Sequence, residues 1–348
     1  MQTREIPPLQ KGEVLIENLY TTLCGSDLHT FRGLRQEKTP TVLGHEIVGR
    51  VIAFGEGHNG CDHAGSPLRA GDTVTWSIFA ANPESGSAKA GIPQKGDGLF
   101  KYGHAQVSGQ DSFHGGLGEY CILKPYTAIL KLPGDIPLPV AATLNCAIAT
   151  VAGGLRLAGM LKGKTVLITG AGLLGIVCAA MCRDAGAGWI GVADIQPSRL
   201  KQAARFGADE GFLLDDGNGL DDSKVPDEGV DVVFDMSGSP DAMELGLECL
   251  ATGGTAVWIG AVFNTRQVQL SPETLIRKLL TVRGLHNYNY VDFEYALDFL
   301  RRNIEKYPFS TIVEKEFPLS RAQEAFEYAI AHKPLRVGVR IAALEPKP

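Results

Sequence analysis

Two short segments near the start of the chain contain side chains that bind transition metals. The segment "TLCGSDLHT" carries Cys24, and "TVLGHEIVG" carries His45. Thiolate and imidazole are ligands that zinc prefers, and a catalytic zinc takes three protein ligands and keeps one position open. Each residue also has an ordinary interpretation, as a buried thiol or as a histidine that satisfies a turn. The two residues by themselves leave both possibilities open.

A glycine-rich segment later in the chain has the pattern of a nucleotide-binding turn. In "TVLITGAGLLGIVCAA", an apolar strand is followed by Gly170, Gly172 and Gly175, with Leu173 and Leu174 between them at the start of a helix. Such glycines allow a tight turn and a close approach of the backbone to a pyrophosphate, and the helix N-terminus supplies amide donors. The alternative is a plain strand-to-helix turn.

Asp194 ends the next predicted strand, "WIGVAD", at the spacing expected for an acid that binds the adenosine ribose. Its carboxylate would accept hydrogen bonds from ribose hydroxyls and repel a 2′-phosphate. The residues that follow, Ile195 and Gln196, offer no cation for that phosphate. The segment therefore predicts a preference for NAD over NADP, against the alternative of a solvated aspartate.

Two regions with different patterns follow one another along the chain. The first has short strands separated by Gly and Pro, such as "GEVLIENLY", "HEIVGRVIAFG" and "DTVTWSIFA", which indicates a β-barrel or sandwich. From Lys164 onward, strands alternate with amphipathic helices, which indicates a parallel, doubly wound sheet. Near the end, Ser320 and Gln323 are spaced as a helix capping box, and "RVGVRIA" is predicted to return to the barrel.

The composition limits the class of protein. The 348 residues, 44% hydrophobic and 21% charged, are typical of a soluble globular protein of two domains. A net charge of −6 argues against nucleic acid or an anionic membrane as the main partner. We find no secretory signal and no uninterrupted apolar run of transmembrane length. Seven widely spaced cysteines suit reduced thiols, so we expect a cytoplasmic protein.

Several motifs together resemble one family of enzymes: "CGSD", "GHE", "GAGLLG", "GGLGEY" and "KPLRVGV". Over essentially the whole chain, the sequence resembles the medium-chain, zinc-dependent alcohol dehydrogenases. The segments "LFKYGH", "PTVLGHEIVGRV" and "TVTWSI" resemble a subgroup associated with phosphonate catabolism. The resemblance implies an α/β protein. A doubly wound parallel (Rossmann) domain, 148–285, would be inserted in a chaperonin-10-like β-barrel catalytic domain, 1–147 plus 286–348.

The resemblance also implies a metal centre. Its zinc ligands would be Cys24, His45 and Cys146, the last of these from "NCAIAT". Asp27 would support the metal shell, and Glu46 would be the nearby carboxylate that approaches the metal as ligands exchange. One catalytic zinc per chain is expected, as a Lewis acid for the oxygen of the substrate.

Four further residues take roles from the resemblance. Ser26 would accept the proton of the alcohol, and His29 would pass it to solvent. Arg199 would lie near the adenosine ribose and Arg336 near the pyrophosphate of NAD. The expected reaction is hydride transfer between a small alcohol and NAD, in a homodimer or homotetramer.

The stretch "NPESGSAKAGIPQKG", residues 82–96, departs from the family pattern. In many relatives this region is a lobe that holds a second, structural zinc through four cysteines. Those positions fall here on Asn82, Ser85, Ala88 and Gly96, and none is a thiol. We therefore expect no structural zinc, because such a site needs a closed set of four ligands.

Other metal-binding residue types have simpler interpretations. The cysteines in apolar strands or helices are predicted to be core residues: Cys121, Cys178, Cys182 and Cys249. His58, Cys61 and His63 lie in a Gly-rich stretch that favours a solvated turn over a metal site. The acidic stretch "DDGNGLDDSKVPDEG" is predicted to be a solvated loop.

The substrate and the class of activity have alternatives. Arg32, Arg35, Lys101 and His104 lie on segments that could rim the substrate site, which makes an anionic alcohol conceivable; ordinary surface cations are the alternative. One alternative activity is a zinc-free quinone or enoyl reductase on the same fold, which would not need the Cys-His-Cys set. Another is a non-enzymatic nucleotide-binding protein, since fold alone does not fix function.

Overall fold

The computed structural model describes residues 2–109, 111–214 and 220–341. The chain divides into two compact units. The first is formed by the residues up to Cys146, by Asn289–Arg301 and by the residues from Phe309 on; the second is formed by Ala147–Tyr288 and Arg302–Pro308. Residues 215–219 of the predicted acidic loop lie outside the described residues.

The secondary structure elements are numbered in chain order. The strands are β1 (Val14–Thr22), β2 (Glu46–Phe54), β3 (Thr73–Ala80), β4 (Phe100–Lys101), β5 (Tyr120–Leu123), β6 (Thr127–Lys131), β7 (Thr165–Thr169), β8 (Trp189–Asp194), β9 (Glu210–Leu213), β10 (Val230–Asp235), β11 (Leu250–Trp258), β12 (Thr281–Gly284), β13 (Val313–Pro318) and β14 (Arg336–Arg340). The helices are α1 (Gly25–Phe31), α2 (Gly86–Lys89), α3 (Leu138–Ala141), α4 (Ala149–Ala158), α5 (Leu173–Asp184), α6 (Pro197–Arg205), α7 (Pro240–Cys249), α8 (Pro272–Arg277), α9 (Tyr290–Asn303) and α10 (Ala322–His332).

An eight-stranded sheet organises the first unit. Its strands follow the order β13-β14-β1-β2-β3-β4, while β5 pairs with β1 and β6 pairs with β3. Apolar side chains such as Ile16, Val51 and Trp76 alternate along these strands and form a core that is almost completely buried. The predicted return of "RVGVRIA" to this sheet is confirmed, because β14 pairs with β1.

A second apolar cluster of the first unit holds α10 against the end of the sheet. Phe326 of α10 packs with Val337 of β14 and Phe317 of β13, and its ring also stacks on Phe31 of α1 with centroids 4.5 Å apart. This contact fixes the C-terminal end of α1, the short helix that carries several predicted site residues.

The predicted capping box before α10 is wrong. Ser320 lies inside a 3₁₀ turn, Leu319–Arg321, so the helix begins only at Ala322. Among the described residues, no side chain caps this helix, and Arg321 instead pairs with Glu324. The extra turn moves Ser320 away from the position at which its hydroxyl could reach the first helical amides.

The second unit is built on a six-stranded parallel sheet in the order β12-β11-β10-β7-β8-β9. The chain runs outward from β7 to β9 and then crosses back to place β10 on the other side of β7. This is the doubly wound topology that the alternating pattern predicts. Its switch point lies between β7 and β10, where ligands bind in such sheets.

The segment Arg302–Pro308 belongs to the second unit, although the sequence analysis placed it in the catalytic domain. Arg302 forms an ion pair with Asp184 at the end of α5, and Tyr307 stacks on Phe206 with parallel rings. These long-range contacts decide the assignment and have no local signal in the sequence.

One helical stretch among the described residues, Leu138–Ala158, is long and apolar enough to cross a membrane by length and composition alone. However, 83% of its most apolar window is buried inside the protein. Such burial is expected of a core helix, so length and composition alone do not make this stretch a membrane span.

Candidate active site

The three predicted ligands converge in the first unit. The Sγ atoms of Cys24 and Cys146 and a ring nitrogen of His45 lie within 4.8 Å of one another. Cys24 directly precedes α1, and His45 directly precedes β2. Cys146 sits in a π-helical turn, Leu144–Ile148, a local irregularity that is frequent at functional sites.

The buried carboxylate of Asp27 organises this triad. Its Oδ1 lies 3.2 Å from His45 Nδ1 and accepts a hydrogen bond from the Gly44 amide, while its Oδ2 accepts one from the Cys24 amide. A carboxylate at Nδ1 holds the ring proton there and leaves the lone pair of Nε2 for a metal. Two thiols and an oriented imidazole fit zinc in a three-ligand catalytic site.

The two thiols have opposite electrostatic tendencies. A hydrogen bond from Cys146 lowers the pKa of Cys24 well below its usual value, and Arg336 and His45 add to this effect against burial. The same interaction, together with burial, raises the pKa of Cys146 well above its usual value. The pair therefore favours one thiolate before any cation is added, which is the form that binds metal.

Glu46 is completely buried one residue after the candidate ligand His45. Arg336 binds it through two hydrogen bonds, of 2.7 Å from Nε and 2.8 Å from Nη2, and Thr22 Oγ1 donates a third. Arg336 Nη2 also lies 3.7 Å from Cys24 Sγ. In this arrangement the carboxylate belongs to an ion pair beside the metal ligands, and its approach to a metal stays a prediction.

The predicted relay residues lie on α1, one turn apart. Ser26 Oγ is 3.4 Å from His45 Nε2, the nitrogen that is left for a metal. His29 follows at the spacing that puts side chains on one helix face, and it is partly buried. Burial and the neighbouring Arg32 lower the pKa of His29 below 6.5.

Two contributors to this site were missed by the sequence analysis. Asn145 is buried, and its Nδ2 donates to the backbone oxygens of His45 and Trp76 at 2.9 and 2.8 Å. Glu37 accepts from His104, whose ring centroid lies 4.8 Å from that of His45. The position of Asn145 beside Cys146 was a usable signal, whereas nothing local marks Glu37.

The glycine-rich turn lies between β7 and α5 in the second unit. Gly170 has φ +94°, and a Cβ at Gly175 would lie 1.8 Å from the Gly170 carbonyl oxygen. In the described part of the chain, a Cβ at Gly172 would instead meet nothing within 4 Å, and no side chain caps α5. The turn therefore leaves open space at a helix N-terminus, which fits a pyrophosphate. Its Gly170 packs against Ser237 after β10, at the switch point of the sheet.

Asp194 is buried at the end of β8. Its carboxylate accepts from the amides of Ala171 at 2.7 Å and Gln196 at 2.8 Å. A carboxylate has about four acceptor positions, so capacity remains for ribose hydroxyls. Arg199 lies in the first turn of α6, and its proximity to the ribose stays a prediction.

The lobe at residues 82–96 is held by short-range hydrogen bonds at two of the four positions where the resemblance predicts cysteines in relatives. Ser85 Oγ accepts from Ala88 N and caps α2, and Asn82 Oδ1 accepts from Glu84 N. A Cβ at Gly96 would lie 3.1 Å from Ser85 Oγ, so these two positions remain neighbours. The absence of a structural zinc stays a prediction.

The remaining thiols and imidazoles do not join the triad. Among the described residues, Cys24, His45 and Cys146 form the one group of three such ligands. Cys121, Cys178 and Cys182 are buried in the core as predicted, and Cys249 is partly buried. In the Gly-rich stretch, His58 Nδ1 accepts from Gly60 N within a turn.

Two family profiles match this chain. The alcohol dehydrogenase GroES-like domain matches residues 10–134, and the zinc-binding dehydrogenase matches residues 174–302. The fold and these matches define the class of protein: the chain belongs to the medium-chain, zinc-dependent alcohol dehydrogenase family. The resemblance drawn from the sequence is thus confirmed at the level of the family, and the phosphonate-associated subgroup stays a prediction.

Individual relatives resemble the chain over nearly its whole length. L-threonine 3-dehydrogenase of Pyrococcus furiosus is 28% identical over 94% of this chain and 91% of its own. Sorbitol dehydrogenase of Halalkalibacterium halodurans is also 28% identical, with the same coverage. The crystal structure of an alcohol dehydrogenase from Thermotoga maritima superimposes with a TM-score of 0.90 at 28% identity, covering 97% of this chain and 94% of that one.

Proposed function

We propose that the protein is a zinc- and NAD-dependent dehydrogenase of a small alcohol. The observation that carries this proposal is the convergence of Cys24, His45 and Cys146 in a protein that also has an open glycine-rich dinucleotide turn. Neither a zinc-free reductase nor a binding protein needs two thiols and an oriented imidazole at one point.

The chain would divide the chemistry between its two units. Cys24, His45 and Cys146 would hold zinc, which supplies a Lewis acid for the oxygen of the alcohol. The turn from Gly170 to Gly175 would hold NAD, which supplies the hydride acceptor. Asp27 keeps His45 in the tautomer that metal binding needs, and the Arg336–Glu46 pair sets the charge next to the thiols.

Ser26 and His29 would remove the proton that the alcohol loses. The 3.4 Å contact of Ser26 Oγ with His45 Nε2 supports this role. His29 lies one helical turn farther on and has a lowered pKa, so it is neutral and able to accept a proton near pH 7.

The preference for NAD would come from Asp194. Its buried carboxylate can accept from the free ribose hydroxyls but would repel a 2′-phosphate. We expect a higher kcat/KM with NAD than with NADP and a smaller ratio in Asp194→Ala. Equal or better use of NADP by the wild type would contradict this part of the proposal.

The central test combines metal analysis with activity. We expect about one tightly bound zinc per chain and NADH formation with members of a panel of small alcohols, both lost on treatment with a strong chelator. Cys146→Ala should lose the zinc and the activity, whereas the matched Cys249→Ala, at a partly buried thiol outside the triad, should keep both.

The stoichiometry separates the alternatives. Activity without zinc would favour the zinc-free reductase, and nucleotide binding without turnover would favour the binding protein. Close to two zincs per chain would mean that the lobe at residues 82–96 binds metal after all.

We also propose a cytoplasmic location, which the seven free thiols favour.

A further inference from the structure

A group of cations lies beside the candidate metal centre. The cations are Arg35, which follows α1, and Lys101 at the end of β4; they lie with the adjacent imidazole of His104, whose pKa burial lowers. Glu37 lies among them and is the acid to which two of these groups bind. We call Arg35, Glu37, Lys101 and His104 the cationic cluster.

Glu37 orients the cluster. Its Oε1 lies 2.8 Å from Arg35 Nε and 3.0 Å from His104 Nδ1, so a single oxygen serves both partners. The side chains of Glu37 and His104 are 13% and 8% exposed, and that of Arg35 is 24% exposed. These values distinguish the cluster from ordinary surface pairs such as Lys89–Glu84, in which both side chains are more than half exposed.

The turn that carries the cluster is packed against a metal ligand. The rings of His104 and His45 lie with centroids 4.8 Å apart. Between Lys101 and His104, Gly103 has φ +74°, and a Cβ there would come within 2.6 Å of the Gly44 carbonyl oxygen and 2.9 Å of His45 Cβ. This close approach fixes the distance between the cluster and the metal centre.

The pKa of Lys101 depends on burial and on the neighbouring charges. Burial, followed by the cations Lys95 and Arg35, lowers the pKa of Lys101 to about 8, while Glu37 and Cys146 act in the opposite direction. The backbone of Lys101 is tied to the turn beside His45, because its carbonyl oxygen accepts hydrogen bonds from the amides of His104 and Ala105. Like charges held close together in a partly buried place repel one another and destabilise the fold. Such arrangements are concentrated at functional sites.

We propose that the substrate alcohol carries an oxyanion group, such as a carboxylate, phosphonate or phosphate, which Arg35 and Lys101 bind. This inference rests on the proposed dehydrogenase function and specifies its substrate class. The Arg35 guanidinium can present parallel N–H donors to two oxygens, and the Lys101 ammonium adds a compact charge. Binding the anion beside the triad would hold the hydroxyl carbon of a short molecule near the metal centre.

The test compares matched charged and neutral alcohols. Glycolate and hydroxymethylphosphonate are compared with ethylene glycol, and glycerol phosphate with glycerol, by kcat/KM and by calorimetric binding to the zinc-loaded protein. We expect at least one oxyanion compound to be preferred by about tenfold or more over its neutral partner, as for charge-assisted hydrogen bonds. Which compound is preferred identifies the oxyanion group.

Two variants and a control assign the effect to the cluster. Arg35→Leu and Lys101→Met should each weaken binding of the preferred anion and raise its KM by about tenfold to a hundredfold, so that the preference for the anion over the neutral alcohol falls by a similar factor. Lys89→Met, which removes an exposed cation paired with Glu84, should change neither. For the wild type, added salt should weaken binding of the anion more than binding of the neutral alcohol.

The outcomes separate this inference from the proposed function. Oxidation of neutral alcohols with no preference for any oxyanion, and no effect of the variants, would overturn the inference and leave the dehydrogenase intact. Oxyanion binding that depends on Arg35 and Lys101, without oxidation of any alcohol, would support the anion site and contradict the dehydrogenase.

Discussion

His45 and Glu46 are neighbours in sequence but take part in different charge interactions. His45 binds Asp27, which orients it for a metal, while Glu46 is bound by Arg336 from β14. Burial raises the pKa of Glu46 above its usual value, although Arg336 opposes the shift. The ion pair is thus an almost completely buried charge interaction, and loss of either partner leaves the other charge without compensation.

Arg336→Leu should therefore lower the free energy of unfolding by about 3–5 kcal/mol, the range for breaking a buried pair. Urea denaturation of the metal-free protein measures this effect apart from activity. Glu46→Gln in the Arg336→Leu background removes the isolated charge and should recover part of the loss. A variant as stable as the wild type would show that the pair is not formed in solution.

His29→Ala should keep zinc and NAD binding and slow alcohol oxidation by up to about 100-fold, the lower range for a positioned acid–base group. Because burial and Arg32 lower the pKa of His29 below 6.5, the wild-type imidazole stays neutral just below pH 7. The difference in oxidation rate between the wild type and the variant should be largest just below pH 7, where hydroxide is scarce.

The pH profile of kcat/KM and the zinc content of the His29 variant are the measurements. His332→Ala, at an exposed histidine at the end of α10, is the matched control and should change neither. Loss of zinc in His29→Ala would show that this residue acts as a ligand instead of a relay.

The turn between β7 and α5 gives two glycines different physical roles. Gly175 is required by the fold, because a Cβ there would lie 1.8 Å from a carbonyl oxygen of the preceding turn. Gly172 faces open space and has φ −68°, which any residue adopts. Only the ligand would need Gly172 to lack a side chain.

Gly175→Ala should destabilise the protein by about 1–3 kcal/mol, as overpacking does, and weaken NAD binding as a consequence. Gly172→Ala should leave the melting temperature nearly unchanged and still weaken the binding of NAD. The added methyl group would occupy the space for the pyrophosphate. Thermal denaturation and fluorescence titration with NADH separate the two effects. Unchanged NADH affinity in Gly172→Ala would place the pyrophosphate elsewhere.

The parallel sheet of the second unit ends at β12, and an unpaired edge can associate with another chain. Exposed apolar side chains precede this strand, with Ile276 and Leu279 each 70% exposed. We propose that this edge is covered in a homodimer or homotetramer.

Light scattering at micromolar concentration should give a mass of at least two chains, and Ile276→Glu should shift the protein toward monomer. Val291→Glu, at an exposed apolar residue of α9, is the control and should keep the oligomer. A monomer mass for the wild type would contradict the proposal, and an oligomer unaffected by Ile276→Glu would place the interface elsewhere.

Much of the fold was predictable because its signals are local. Short apolar runs bounded by turn residues mark β1 and β7, and the glycines after β7 mark the turn, since apolar runs and backbone freedom are properties of a few consecutive residues. Cys24 and His45 were recognisable by type, but their grouping with Cys146 needed the resemblance to a family. The failure of Ser320 as a cap shows that even a local pattern is overridden when a neighbouring turn displaces the helix start.

The rest was decided by tertiary contacts between residues far apart in the chain. Arg336 reaches Glu46 because the pairing of β14 with β1 and of β1 with β2 brings the last strand to the second. The cationic cluster exists because Gly103 lets the turn after β4 pack against Gly44. Sheet order and such close approaches set which charges share a low-dielectric space, and the periodicity of a sequence contains no information about that.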